Sequence, residues 1–202
     1  MPIVEDIKRT LERVTGHGRP QGRELSKLTR ARKPHLHRFR DDGETPNNPR
    51  LPLVLYRTPV VLADGFDPAA IFEELFAGND WGGSWRYGVY DFLHFHTRTH
   101  EVLGIARGTV RVQFGGAAGR AIDLKAGDVA VLPAGTGHRR LESSRDLLVV
   151  GAYPSSGGYD QPKPEDVDHD KAVADIAMVS LPDADPVYGK TGPLLRVWRA
   201  HR

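Results

Sequence analysis

From Gly88 the apolar positions fall on every second residue, and this alternation persists to the end of VVGAYP. The pattern predicts strands near 88–96, 100–107, 109–115, 120–124, 129–133, 137–143 and 146–153. Turn chemistry separates them at Phe114-Gly115-Gly116-Ala117-Ala118-Gly119 and at Lys125-Ala126-Gly127-Asp128. Short, closely spaced strands with Gly-rich turns predict an antiparallel sandwich or barrel.

Upstream, the period is helical. Val4, Ile7, Leu11 and Val14 make one stripe over 3–14, with Glu5 and Asp6 near the positive end of the helix dipole. Gly16-His17-Gly18 and Arg19-Pro20 stop that helix. Residues 19–34 are basic and polar, a linker or a second short helix around Glu24–Arg30. His35-Leu36-His37 reads as a first strand, and Leu51–Leu62 as a strand pair or one bent strand interrupted at Pro52 and Pro59. Asp67 is placed to cap a helix that starts at Pro68, buries Ile71, Leu75 and Phe76, and ends at Gly78-Asn79. Trp81-Gly82-Gly83-Ser84-Trp85 reads as a turn whose tryptophans serve as core lids or line a pocket mouth. After Pro154 the pattern collapses into an exposed, mobile loop, followed by a short helix over Asp170–Met178. Val187, Leu194, Leu195, Val197 and Trp198 need burial, so the C-terminal tail is expected to pack on the barrel. The expected organisation is a basic helical leader over 1–34 and one domain over 35–202, its core barrel at about 88–154.

Composition narrows the chemistry. A chain of 202 residues suits one decorated domain. It has no cysteine, so a metal would be held by imidazole and carboxylate. No apolar run approaches the roughly 20 residues that span a bilayer, and MPIVEDIKRTLERV lacks a secretory core, so a cytoplasmic location with no membrane contact is expected. The net charge is +2, with basic residues crowded between Lys8 and Arg40. They are not interleaved with aromatics, so a solvated leader is expected and nucleic acid is not.

The stretch GVYDFLHFHTRTHEVLGIARG carries the candidate site. On a strand His94 and His96 project to one face and can meet a single ion at about 2 Å. The chain then reverses through Thr97–His100, and Glu101 can face the same point from the next strand. His138 approaches from a separate strand behind Gly127, Pro133, Gly135 and Gly137. His100, next to Glu101, is the alternative ligand if a bulge re-aims it. Tyr90 shares the inward face with Phe92 and is a candidate phenolic donor or acid, or else a core aromatic. Arg140 is a candidate clamp for a substrate carboxylate, and Glu142 a candidate general base or an arginine partner.

These spacings resemble the two motifs of the cupin superfamily. Gly88, His94, His96, Glu101 and Gly108 fill the first, Gly-x5-His-x-His-x3-4-Glu-x6-Gly. Gly127, Pro133, Gly135 and His138 fill the second, Gly-x5-Pro-x-Gly-x2-His-x3-Asn, with Glu142 where asparagine is expected. From about Phe39 to Trp198, segments such as PNNPRLPLVLYR, FEELFAGNDWGGSWRYGVYDFLHFH and LPDADPVYGKTGPLLRVW resemble the uncharacterised YjlB-like bacterial cupins. The resemblance implies an all-β double-stranded β-helix, a jelly-roll barrel with a few peripheral helices. It also implies the ligand set His94, His96, Glu101 and His138, and a homodimer. It names no substrate.

Three imidazoles and a carboxylate with open positions suit a divalent ion such as Fe(II), Mn(II), Zn(II) or Ni(II). The leading expectation is a metal-dependent enzyme acting on a small polar or carboxylated metabolite, by oxygenation, isomerisation, lyase chemistry or hydrolysis. The alternative is a non-catalytic binder or sensor of metal or a small ligand.

Overall fold

The computed structural model describes residues 14–15, 17–155 and 158–201. The helix expected over 3–14 lies outside them except for its last residue. Nine strands are described: β1 (His35–His37), β2 (Leu53–Tyr56), β3 (Trp81–Tyr87), β4 (Glu101–Arg107), β5 (Thr109–Phe114), β6 (Arg120–Lys125), β7 (Val129–Leu132), β8 (His138–Ser143) and β9 (Leu148–Pro154). Four α-helices accompany them: α1 (Arg23–Lys27), α2 (Pro68–Ala77), α3 (His169–Met178) and α4 (Pro193–Arg199). The strands make two antiparallel sheets, one of six in the order β1-β2-β7-β4-β9-β3 and one of three in the order β6-β5-β8. The all-β expectation with few helices holds.

The central strands of the larger sheet, β2, β7, β4 and β9, are buried on both faces, while its edge strands β1 and β3 are partly exposed. Leu53, Leu55, Leu103, Ile105 and Leu132 pack against Val112, Phe114 and Leu124 of the smaller sheet. Val54, Tyr56, Val102 and Val131 pack on the other face with Phe72, Leu194 and Trp198 from α2 and α4. Burial on both sides is why β2 and β7 read as unbroken apolar runs, LVLY and VAVL, and not as alternating ones. Gly104 lets α2 approach closely, since a Cβ there would lie 2.4 Å from the Phe72 ring. The Asp67 cap forms as the sequence requires, its carboxylate accepting from Ala69 N–H at 3.0 Å.

The C-terminal tail docks as its apolar residues demand. Trp198 is fully buried and donates through Nε1 to Pro52 O at 2.9 Å. Buried Asp185 fastens the preceding turn by accepting from Tyr56 OH at 2.7 Å, Val187 N–H at 2.9 Å and Leu194 N–H at 3.0 Å. The basic stretch before β1 also meets the body. Arg19 bonds Glu73 and Glu74 at 2.9 Å each, and Leu28 enters the core below Val60. Among the described residues no helix is long and apolar enough to cross a membrane.

Three segments differ from expectation. No strand forms over 88–96, where a bend at Asp91-Phe92 breaks the repeat. One isolated bridge, His94 with His138, is all the regular pairing it keeps. The strand forms earlier, as β3, where a turn was expected. It pairs with β9 and absorbs the flexible Gly82-Gly83 as a register shift between Gly82 and Trp85, with Gly83 at φ 62°. The segment after β9 is not a free loop either. Asp160 accepts from Thr97 N–H at 3.0 Å, Thr97 Oγ1 at 2.6 Å and Arg98 N–H at 3.1 Å, and Pro162 O accepts from Phe95 N–H at 3.2 Å.

Candidate metal centre

The backbone draws the histidines together before any side chain acts. His94 N–H donates to His138 O at 3.3 Å, and His138 N–H donates back at 2.9 Å. This reciprocal pair places the two rings 4.1 Å apart. Two residues on, His96 O accepts from Gly135 N–H at 2.7 Å, which ties the motif to the Gly/Pro turn. Gly135 takes φ 88° there, and a Cβ would press on Asn47 O at 2.7 Å. Glu101 opens β4 opposite Leu132.

Candidate ligand nitrogens of His94, His96 and His138 all lie within 4.8 Å of one another, and all three residues are buried. Glu101 Oε2 lies 3.2 Å from His138 Nε2 and 3.4 Å from His96 Nε2. Each imidazole turns Nδ1 to a backbone carbonyl: His94 to Phe92 O at 3.2 Å, His138 to Thr136 O at 3.0 Å, His96 to Asp160 O. A carbonyl only accepts, so each Nδ1 carries the proton and each Nε2 of a neutral ring presents a lone pair. That is the tautomer a metal takes. His96 Nε2 and Glu101 Oε2 are buried without a hydrogen-bond partner, two electron-rich atoms facing one another. The residues therefore fit a divalent cation, which would satisfy both.

The electrostatics carry the same strain. Burial raises the cost of a charge on Glu101, yet His96 and His138 hold its carboxyl well below the usual range. Burial also opposes a proton on His96, but Glu101 beside it raises its pKa overall. His94 is pushed down to about 3, first by burial and then by His138.

His100 does not join this group. Its Nδ1 accepts from Ala134 N–H at 2.9 Å, its Nε2 donates to Ser180 O at 3.2 Å, and its ring packs on Trp198. The regular start of β4 at Glu101 sends the neighbouring side chain to the opposite face, with no bulge to re-aim it. Tyr90 does face the site, edge-on to His94 with ring centroids 5.5 Å apart. Arg140 reaches outward to Asp91 at 3.8 Å, and Glu142 stands exposed opposite Arg111 on β8. Neither lines the cavity at the histidines.

That cavity has a volume of about 450 Å³. Its walls include three residues that sequence reasoning passed over: Tyr153, Tyr159 and Gln161. Tyr153 accepts from Trp85 Nε1 at 2.9 Å. Burial, then the Glu101 charge, lifts its phenol above the ordinary tyrosine range. Tyr159 donates to Gln161 Oε1. Tyr153 was visible only as one aromatic in a strand, and the 158–162 segment has no periodicity to reveal it.

No protein-family model matches the chain. The uncharacterised protein YjlB of Bacillus subtilis (strain 168) is 40% identical over 160 residues, covering 79% of this chain and 93% of that one. The chain belongs to the YjlB family. Solved structures similar in part include the Bacillus subtilis oxalate decarboxylase OxdC, at 19% identity and TM-score 0.32 over 55% of this chain and 22% of that chain. A TDP-quinovose 3,4-ketoisomerase from Campylobacter jejuni matches at 15% identity and TM-score 0.34, over 45% of this chain and 73% of its own. An acireductone dioxygenase from Bacillus anthracis, with a cadmium ion in its active centre, matches at 16% identity and TM-score 0.31, over 43% and 59%. This YjlB-family chain thus spans about a fifth of the decarboxylase's length.

Proposed function

We propose that this protein is a metal-dependent enzyme acting on a small molecule, with His94, His96, Glu101 and His138 holding one divalent ion. The observation that carries the reading is the pair His96 Nε2 and Glu101 Oε2, buried 3.4 Å apart and each without a hydrogen-bond partner. When bound, such an ion supplies Lewis acidity or redox chemistry beside the cavity. Glu101 offsets part of its charge, and the carbonyls at Nδ1 orient the imidazoles. Tyr153, which lines the cavity with Glu101 and whose phenol is raised by burial, is placed to hold a proton at its Oη near a bound molecule. Fe, Mn, Zn and Ni all suit this donor set.

The second reading, a non-catalytic binder or sensor, draws on the largely aromatic walls. The phenols of Tyr153 and Tyr159 and the amide of Gln161 converging on the cavity favour the enzyme. A carboxylated substrate has less support than the sequence suggested, because Arg140 faces Asp91. A homodimer and a cytoplasmic location remain part of the proposal; a monomeric mass at micromolar concentration would overturn the former.

The test is metal content after purification without added metal, in wild type and in the double variant His96→Ala, Glu101→Ala. Near-stoichiometric metal that is lost in the variant supports the centre and directs the assays. Iron leads to oxygen-consumption screens, and zinc, manganese or nickel to hydrolysis, isomerase and lyase screens. No metal in either protein, with the fold intact after attempted loading, overturns the reading.

A further inference from the structure

The walls of the cavity carry information beyond the metal. Two aromatic clusters line it, and each is seated on a different histidine. Tyr153 and Tyr159 pack on His96, both with ring centroids at 5.6 Å, and on each other at 5.2 Å. Tyr90 packs on His94 and touches Tyr87 at 5.9 Å. Among the described residues no lysine or arginine lines the cavity, and its one acidic group, Glu101, is already committed to the histidines.

An anionic group brought in among the tyrosines would be desolvated with no cation in the wall itself, since the nearest ones are engaged outside it, Arg140 beside Asp91 at 3.8 Å and Lys163 over the Phe92 ring at 5.3 Å. A flat ring would gain instead, by offset or edge contact with several tyrosine faces. The volume of about 450 Å³ lies within the range of roughly 300–1,000 Å³ usual for small-molecule sites, too roomy to be specific for a two-carbon acid. Tyr159 and Tyr90 are 58% and 40% exposed, so their rings have apolar faces still available to a ligand.

We propose that the cavity is a slot for one flat, uncharged ring system bearing a hydroxyl, a phenol-type molecule, its ring among the tyrosines and its oxygen turned to the histidine cluster. The direction of the oxygen rests on the metal reading above; the choice of ring does not. The Tyr153 ring is fixed in the wall by the bond from Trp85 Nε1 at 2.9 Å.

The test is calorimetric titration of the full chain with 2-naphthol, with 2-naphthoate (the same rings with a charge) and with trans-2-decalol (the same size without flat rings). Each is run on the protein as purified and after chelation, with metal content measured on the same samples. The expected result is saturable 2-naphthol binding in both forms, at least about tenfold tighter than either analogue, a difference of about 1.4 kcal/mol. Tyr159→Ala and Tyr90→Ala, both at partly exposed positions, should each weaken 2-naphthol at least about fivefold, with melting curves unchanged. Equal or tighter binding of 2-naphthoate to the chelated protein, equal or tighter binding of trans-2-decalol to either form, no binding of 2-naphthol, or indifference to both tyrosine variants would overturn the slot. Loss of the metal reading would appear separately, as absent metal in samples that still bind 2-naphthol.

Discussion

Glu101 Oε2 stands 3.2 Å from His138 Nε2, while the Nδ1 of that ring donates to Thr136 O. A neutral His138 therefore turns a lone pair toward a carboxylate, an arrangement that only a cation makes favourable. A proton can fill that role, and so can a metal ion, and the two compete. Metal should accordingly stabilise this protein strongly. Ion at a hundred times its Kd adds about 2.7 kcal/mol, visible as a rise in melting temperature that chelation reverses. In Glu101→Gln the charge is gone and the metal-dependent rise should shrink by more than half. An undiminished rise would remove Glu101 from the ligand set.

Asp160 should matter to the metal without touching it. Its carboxylate gathers Thr97 N–H, Thr97 Oγ1 and Arg98 N–H, and its carbonyl accepts from His96 Nδ1. Asp160→Ala releases the side-chain anchors, so the carbonyl no longer fixes the His96 ring. Outer partners of metal-bound histidines typically contribute about 10–100-fold in affinity. We expect a loss in that range by competition with a chromogenic chelator, largely restored in Asp160→Asn, and little change in the melting temperature of the metal-free form.

How much of this was legible in sequence follows from the range of the forces involved. His94, His96, Glu101 and His138 were readable because residue spacing and a Gly/Pro turn are local rules, even though the strand assumed at 88–96 shrinks to the single His94–His138 bridge. The Asp67 cap and Pro68 start were readable for the same reason. β3 was hidden because Gly82-Gly83 signals a turn, and only pairing with β9, more than sixty residues later in the chain, makes it a strand. The part played by Asp160 was hidden because its partners at Thr97 and Arg98 are likewise remote in sequence. Arg140 keeps its i+2 relation to His138, since the shift in the β5–β8 register falls beyond it, between Arg111 and Val112; what alternation does not reveal is Asp91, 3.8 Å from its guanidinium.

Trp198 tests whether the tail belongs to the body. It is fully buried, contacts His100 and donates to Pro52 O. Trp198→Ala should cost about 3–5 kcal/mol by chemical denaturation. Metal stoichiometry should stay unchanged in the fraction that remains folded, since the indole lies on the far side of His100 from the cluster. A cost below 1 kcal/mol would mean that α4 is not part of the cooperative unit.

His100 gives a prediction with a defined sign. Burial lowers its pKa to about 4, against 6.5 for the free side chain, with Ser180 O opposing only in part. The unfolded chain therefore binds more protons than the folded one between these values, and stability rises with pH across the window. The contribution is fully present above about pH 6.5 and is lost as pH falls to about 4, for a total of about 3 kcal/mol. His94, lowered to about 3, adds a loss of the same sign, so wild type alone cannot isolate the effect. The measurement is urea unfolding of wild type and His100→Asn between pH 7 and pH 4, both with chelator present so that metal release does not contribute. Asparagine keeps an acceptor for Ala134 N–H but does not titrate. It should be less stable than wild type at pH 7, and the gap should narrow steadily as the pH falls. A constant gap would mean that His100 takes up protons alike in the folded and unfolded chains and is not held neutral by burial.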